Sequence, residues 1–174
     1  MRYLNYLLYL LILCFLTACA DSNVTQNITQ TGTKLSVDNK VYISMSMDGK
    51  YGNKFYEGSG SMTTDALRSA FLTHTDNVEA SSVFETRQKA ILSALNHDAD
   101  FLVYPVILHW EDRATEWSSI PDKVEVKVSL IEPHSQQVVE AIIVSGRSGL
   151  ATFGGDHPQD LLPEPISDFV NTLY

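Results

Sequence analysis

Basic residues and cysteines are scarce in this chain. Its 174 residues hold 12 Lys plus Arg against 21 Asp plus Glu, a formal net charge of -9. No basic footprint exists to neutralise a phosphate backbone, so nucleic acid is not an expected partner. Cysteine occurs only as Cys14 and Cys19, which excludes a disulfide framework, a four-thiolate zinc site and an iron-sulfur cluster held by this chain alone. The histidines, His74, His97, His109, His134 and His157, are scattered, and none forms the i, i+4 pair that marks a zinc helix. A phosphate-binding loop is missing too. Gly58-Ser59-Gly60-Ser61 stands before a helical stretch, but no Lys follows where a P-loop needs one. Thr63 leaves GxGxxG incomplete, and no G-x-S-x-G elbow forms around Ser59 or Ser61. The loop reads as a turn with an N-cap at Ser61 or Thr63. No metal and no cofactor are expected.

Long apolar runs are also few. One extends from Tyr6 to Leu16 behind Arg2, too short for the roughly 20 residues a membrane-spanning helix needs. Its layout is that of a secretory signal peptide over residues 1–18. Leu16-Thr17-Ala18-Cys19 then resembles the lipobox of bacterial lipoproteins, with Cys19 as the acceptor of lipid. The competing reading is ordinary cleavage after the small-x-small stretch Ala18-Cys19-Ala20. The resemblance implies a diacylglyceryl thioether and an amide-linked acyl chain such as palmitate, together enough for stable anchoring. Under the enterobacterial sorting rule, Ala20 in place of Asp directs the protein to the outer membrane. Loss of Arg2 with the peptide leaves 11 basic against 21 acidic residues, a net charge of -10.

Residues 19–38 are rich in Ser, Thr, Asn and Gln and poor in large apolar side chains, and are expected to be a flexible tether. The domain is expected over residues 39–174. Val41, Ile43, Met45 and Met47 alternate with polar or smaller neighbours, which predicts a strand. Ala66, Leu67, Ala70 and Phe71 share a helical face over 64–74, as do Ala90, Ile91, Ala94 and Leu95 over 86–96. A short strand is weakly indicated over 77–84. The run Phe101 to Leu108 suits a covered strand in which Pro105 requires a bulge or a neighbour on one side only. Val124, Val126, Val128 and Leu130 alternate strictly, and 138–145 returns as a hairpin partner through a turn at 133–136. Leu162, Ile166, Phe169, Val170 and Leu173 close the chain as a helix entered through Pro163 and Pro165. The expected fold is α/β: one layered domain with a mixed sheet, in the order β-α-β-α-β-β-β-α.

AILSALNHDADFLVYPVI, a helix running through an Ala-Asp turn into an apolar strand, is similar to an element of the amino-terminal domain of the Tol system's propeller protein and of the curli-secretion lipoprotein. DGKYGNKFYEGSGSMTTDAL, HWEDRATEWSSIPDK and the closing Leu-Leu and Leu-Tyr pairs resemble an uncharacterised family of proteobacterial outer-membrane lipoproteins. That resemblance implies an envelope location and supplies no activity. The curli-type pore does not carry over, because it needs extra membrane-crossing hairpins and every strand here is required by the sheet.

HWEDRATEWSSIPDK holds both tryptophans, Trp110 and Trp117, around Glu111, Asp112, Arg113 and Glu116. Three readings compete. Trp110 closes the end of the sheet while Arg113 pins the loop through carboxylates. Alternatively, Trp117, Arg113, Glu116, Asp112 and Glu111 contact a protein partner in the envelope. In the third reading Glu111 and Glu116 form an acid and base pair acting on cell-wall glycan. Pinning and binding are compatible. The expected function is therefore a non-catalytic binding or scaffold module, membrane-anchored through lipid and facing the periplasm. A glycan hydrolase and a small-solute receptor are the alternatives. Oligomeric state is not readable from one sequence.

Overall fold

The computed structural model describes residues 21–113, 121–149 and 157–174. The expected signal peptide, Cys19, Glu116 and Trp117 lie outside them. Five long strands and one short one, β1 (Ser22–Gln30), β2 (Val41–Met45), β5 (Val78–Phe84), β6 (Phe101–Glu111), β7 (Lys123–Glu132) and β8 (Gln137–Arg147), build a mixed sheet in the order β1-β8-β7-β6-β2-β5. A small hairpin, β3 (Lys50–Tyr51) with β4 (Lys54–Phe55), stands apart from it. Three helices complete the domain: α1 (Ser59–Phe71), α2 (Arg87–Asn96) and α3 (Pro163–Leu173), the last preceded by a 3-10 turn at Pro158–Leu161. Among the described residues no helix is long and apolar enough to cross a membrane.

The expected α/β domain with a mixed sheet is what forms, and from β2 onward the main elements follow the expected order. β2 pairs in parallel with both β5 and β6. The step from β2 to β5 runs one way across the sheet and the step from β5 to β6 runs back. A right-handed crossover in each direction places α1 and α2 on opposite faces. The buried clusters agree with this. Leu67 and Phe71 of α1 join Ile166, Val170 and Leu173 of α3 over the inner face with Val103, Val126, Val128 and Val144. Ala90, Ile91 and Ala94 of α2 cover Tyr42, Leu102 and Ile131 on the other. Pro105 is accommodated as a one-sided neighbour requires, since the last β2–β6 pair is Ile43 with Val103 and beyond it β6 has only β7 beside it.

Two expectations are corrected. The flexible tether becomes strand β1 over most of its length, antiparallel to β8 from Ser22 opposite Arg147 to Gln30 opposite Glu140. Composition misled because β1 is an edge strand with almost every side chain in water. It gains its place from backbone hydrogen bonds to β8 and needs no core of its own. Its far end is tied down as well. Oε1 of the buried Glu140 accepts the backbone amides of Thr31, Gly32 and Thr33 at 2.9, 2.8 and 3.1 Å. The second correction concerns α1, which starts at Ser59 after Gly58 in the left-handed region rather than at Ser61 or Thr63. The cap comes from outside the helix: the Asp48 carboxylate accepts the amides of Gly60 at 2.8 Å and Gly58 at 3.2 Å. Gly60 is required there, because a Cβ would lie 2.4 Å from the Ser46 carbonyl oxygen.

Candidate functional site

The end of the sheet where β6 stops and β7 begins carries Trp110, Glu111, Asp112 and Arg113 of the residues singled out from the sequence. Register aligns four strand ends there, with Glu111 opposite Lys123, Lys123 opposite Arg147 and Arg147 opposite Ser22. Trp110 points into the inner core and is only 2% exposed. It lies on the backbone of Gly49, where a Cβ would come within 2.5 Å of the Trp110 Cβ and 2.9 Å of Ile107. The β3–β4 hairpin is thereby laid against β6 at this end.

Glu111 is equally buried and sits inside a clasp. One carboxylate oxygen accepts Nε of Arg113 at 2.5 Å and is also in contact with its Nη2. The other oxygen lies 3.2 Å from Nε2 of His109. Burial alone would raise the Glu111 carboxyl, but the hydrogen bonds and charges of His109 and Arg113 outweigh it and hold it below the usual carboxylate range. Tyr51 borders both partners, edge-on to His109 at 5.1 Å and 5.8 Å from the Arg113 guanidinium. The backbone is pinned across the loop as well. Oδ1 of Asp122 accepts the Arg113 amide at 2.6 Å, while the Asp122 amide donates to Ser148 Oγ at 2.9 Å. Burial raises the Asp122 carboxyl, and the neighbouring charges of Asp112 and Glu111 add to the rise.

Asp112, Asp122 and His157 bring ligand-type atoms within 4.8 Å of one another. The Asp112 carboxylate is 3.6 Å from His157 Nδ1, and the Asp112 carbonyl accepts Tyr56 Oη at 3.4 Å. The group therefore links the β3–β4 hairpin, the β6–β7 loop and the 3-10 turn. No sequence signal pairs His157 with Asp112, because they lie on separate loops and meet only once the sheet is built. The clasp itself is legible as spacing, since His109, Glu111 and Arg113 stand two residues apart through the end of β6.

This geometry divides the sequence candidates. Glu111 is covered and cannot touch a partner directly; Asp112 and Arg113 are partly exposed at the rim. As an acid and base pair the site is unfavourable, because Arg113 and His109 hold the Glu111 carboxyl below the usual carboxylate range while a general acid needs a raised pKa. Gly58 and Gly60, whose amides a phosphate would have used, already donate to Asp48.

Fold and rim together define a single α/β domain with a mixed sheet, closed at one end by a charged, hydrogen-bonded clasp. Within that class the chain belongs to the family described as Domain of unknown function (DUF4823), which matches residues 33–173. No curated protein matches it significantly. Among solved structures it is similar to the PelC dodecamer from Paraburkholderia phytofirmans, at 14% identity and a TM-score of 0.63, with 87% of this chain and 97% of that one covered. It is also similar to protein XCC0632 of family DUF330 from Xanthomonas campestris, at 12% identity and TM-score 0.51, covering 82% and 87%. Lipoprotein GNA1162 from Neisseria meningitidis follows at 13% identity and TM-score 0.50, covering 78% and 98%. Identities this low establish a shared fold and nothing further. These matches lend no specific support to the Tol propeller domain.

Proposed function

We propose that this chain is an outer-membrane lipoprotein, acylated at Cys19, whose periplasmic domain is a non-catalytic binding or scaffold module for an envelope partner. The observation that carries the reading is the clasp. The buried Glu111 carboxylate is committed to Arg113 and His109, an arrangement that ties down the end of β6 rather than one poised for proton transfer. The lipobox-like Leu16-Thr17-Ala18-Cys19 supports the anchor, and a shared fold with a Neisseria lipoprotein and with a dodecameric PelC is compatible with assembly. The partner contact falls on Arg113, Asp112 and the intervening loop with Glu116 and Trp117, which joins Arg113 to Pro121.

The test has two parts. Cys19→Ser abolishes incorporation of labelled palmitate and releases the protein from the membrane fraction while its circular dichroism is unchanged. In-cell photocrosslinking from position 117 captures a discrete envelope protein, or a second copy of this chain. Glycan turnover that Glu111→Gln removes without unfolding the domain would refute the scaffold reading in favour of the hydrolase.

A further inference from the structure

The anchor and the sheet are closer together than a tether would allow. Cys19 precedes the first residue of β1, Ser22, by three positions, and an extended chain spans at most about 3.6 Å per residue. Since β1 is hydrogen-bonded to β8 from Ser22 onward, the lipid attaches within about 11 Å of Ser22, the β1 corner of a rim that continues through Arg147, Lys123 and Glu111. The rim is thereby held at the headgroup layer, while the opposite end of the 11-residue β8 lies roughly 33 Å away along the strand.

The surface presented there differs from the rest of this acidic chain. Lys123 and Arg147 are directly paired across β7 and β8, and two places along β7 on the same face lies Glu125, then Lys127. Lys123, Lys127 and Arg147 thus stand with Glu125 on the sheet face that α2 leaves uncovered, while Glu111, opposite Lys123, is buried in its clasp with Arg113. Among the described residues Lys123, Lys127 and Arg147 enter no ion pair. Exposed Val24 of β1, opposite Ser145, and exposed Leu108 of β6 flank them. Ser22, Val24, His109, Lys123, Glu125, Ser145 and Arg147 border a shallow depression of about 370 Å³ at this edge.

We infer that this rim and the adjoining outer sheet face are a docking surface for anionic phospholipid, so that the acylated domain rests on the bilayer in one orientation. The inference rests on the lipoprotein reading above. Its net charge of -10 does not oppose it. At physiological salt, charges more than about 8 Å from the headgroups are screened, and the described charges on the outer face of β7 and β8 at this end are three cations and Glu125, with Asp21 exposed beside Ser22.

The experiment uses the acylated full-length protein in vesicles of phosphatidylethanolamine with phosphatidylglycerol, and in phosphatidylcholine alone. Cys14 leaves with the signal peptide and Cys19 is blocked by lipid, so a dye can be placed on Ser145→Cys at the rim or His134→Cys at the β7–β8 turn. A headgroup-linked quencher then reports proximity. The expected result is several-fold stronger quenching at 145 than at 134 in the anionic vesicles. Salt, phosphatidylcholine or the double variant Lys123→Glu/Arg147→Glu weakens it, the variant lowering the ratio of docked to undocked protein by roughly 25-fold, about five-fold per cation. A flexible Gly-Ser insertion between Ala20 and Asp21 brings the two positions together. Equal quenching of an acylated protein, or a difference indifferent to charge reversal and lipid, overturns the docking surface while leaving the anchor standing. Absence of acyl label on Cys19 overturns the anchor and the docking with it.

Discussion

Glu111→Gln isolates the clasp, because the side chain keeps its shape and loses only its charge. Hydrogen bonds to a charged group contribute about 1.5–3 kcal/mol each against roughly 0.5–1.5 for neutral pairs. Arg113 and His109 are each about one-third exposed, at 33% and 31%, so water already screens part of that difference. The expected loss at neutral pH is therefore about 1–2 kcal/mol, the low end of what exposed-to-buried ion pairs give. For a domain of this size that corresponds to a Tm lower by about 3–6 °C. The sign with pH follows from the depressed carboxyl. Its stabilisation is complete above the unfolded value of about 4.3 and disappears as pH falls through the lower folded value. Melting curves of wild type and variant, followed by circular dichroism from pH 7 downward, thus run parallel to about pH 5 and converge below about pH 4. A deficit of the same size at acid pH would show that Gln disturbs packing and that the charge on Glu111 contributes nothing.

Trp110→Ala leaves a cavity against Gly49 and Ile107 and lowers stability by about 3–5 kcal/mol, read from the urea midpoint. Gly60→Ala pushes a methyl group into the Ser46 carbonyl and costs about 1–3 kcal/mol, whereas Gly52→Ala, with open space around its Cβ position, pays only for its positive φ. Glu140→Ala removes the acceptor shared by three amides; hydrogen exchange then accelerates at Thr31, Gly32 and Thr33 and along β1 before any change is seen in β6 or β7.

The helices and the central strands were readable because burial imposes a period. Ala90, Ile91 and Ala94 mark α2, and Val124, Val126 and Val128 mark β7, since each set must meet one core. β1 carries no such mark. Ser-Asn-Val-Thr-Gln-Asn-Ile-Thr-Gln meets water on both faces, so nothing in it alternates decisively, and its β-branched Val24, Thr25, Ile28 and Thr29 were the only hint. At the rim, Trp110 and the His109-Glu111-Arg113 spacing were visible as local pattern. Asp48 as the cap of α1 and His157 beside Asp112 were not, for both depend on loops that topology alone brings together.

In the exported lipoprotein proposed above, the separation of β1 from β8 in sequence bears on how the domain folds. Thr31 and its acceptor Glu140 are 109 residues apart, so β1 of a chain exported amino terminus first would have nothing to pair with until nearly the whole domain had followed. Until then the free edge of β8 is an open template for any other extended chain, including the β1 of a neighbouring copy.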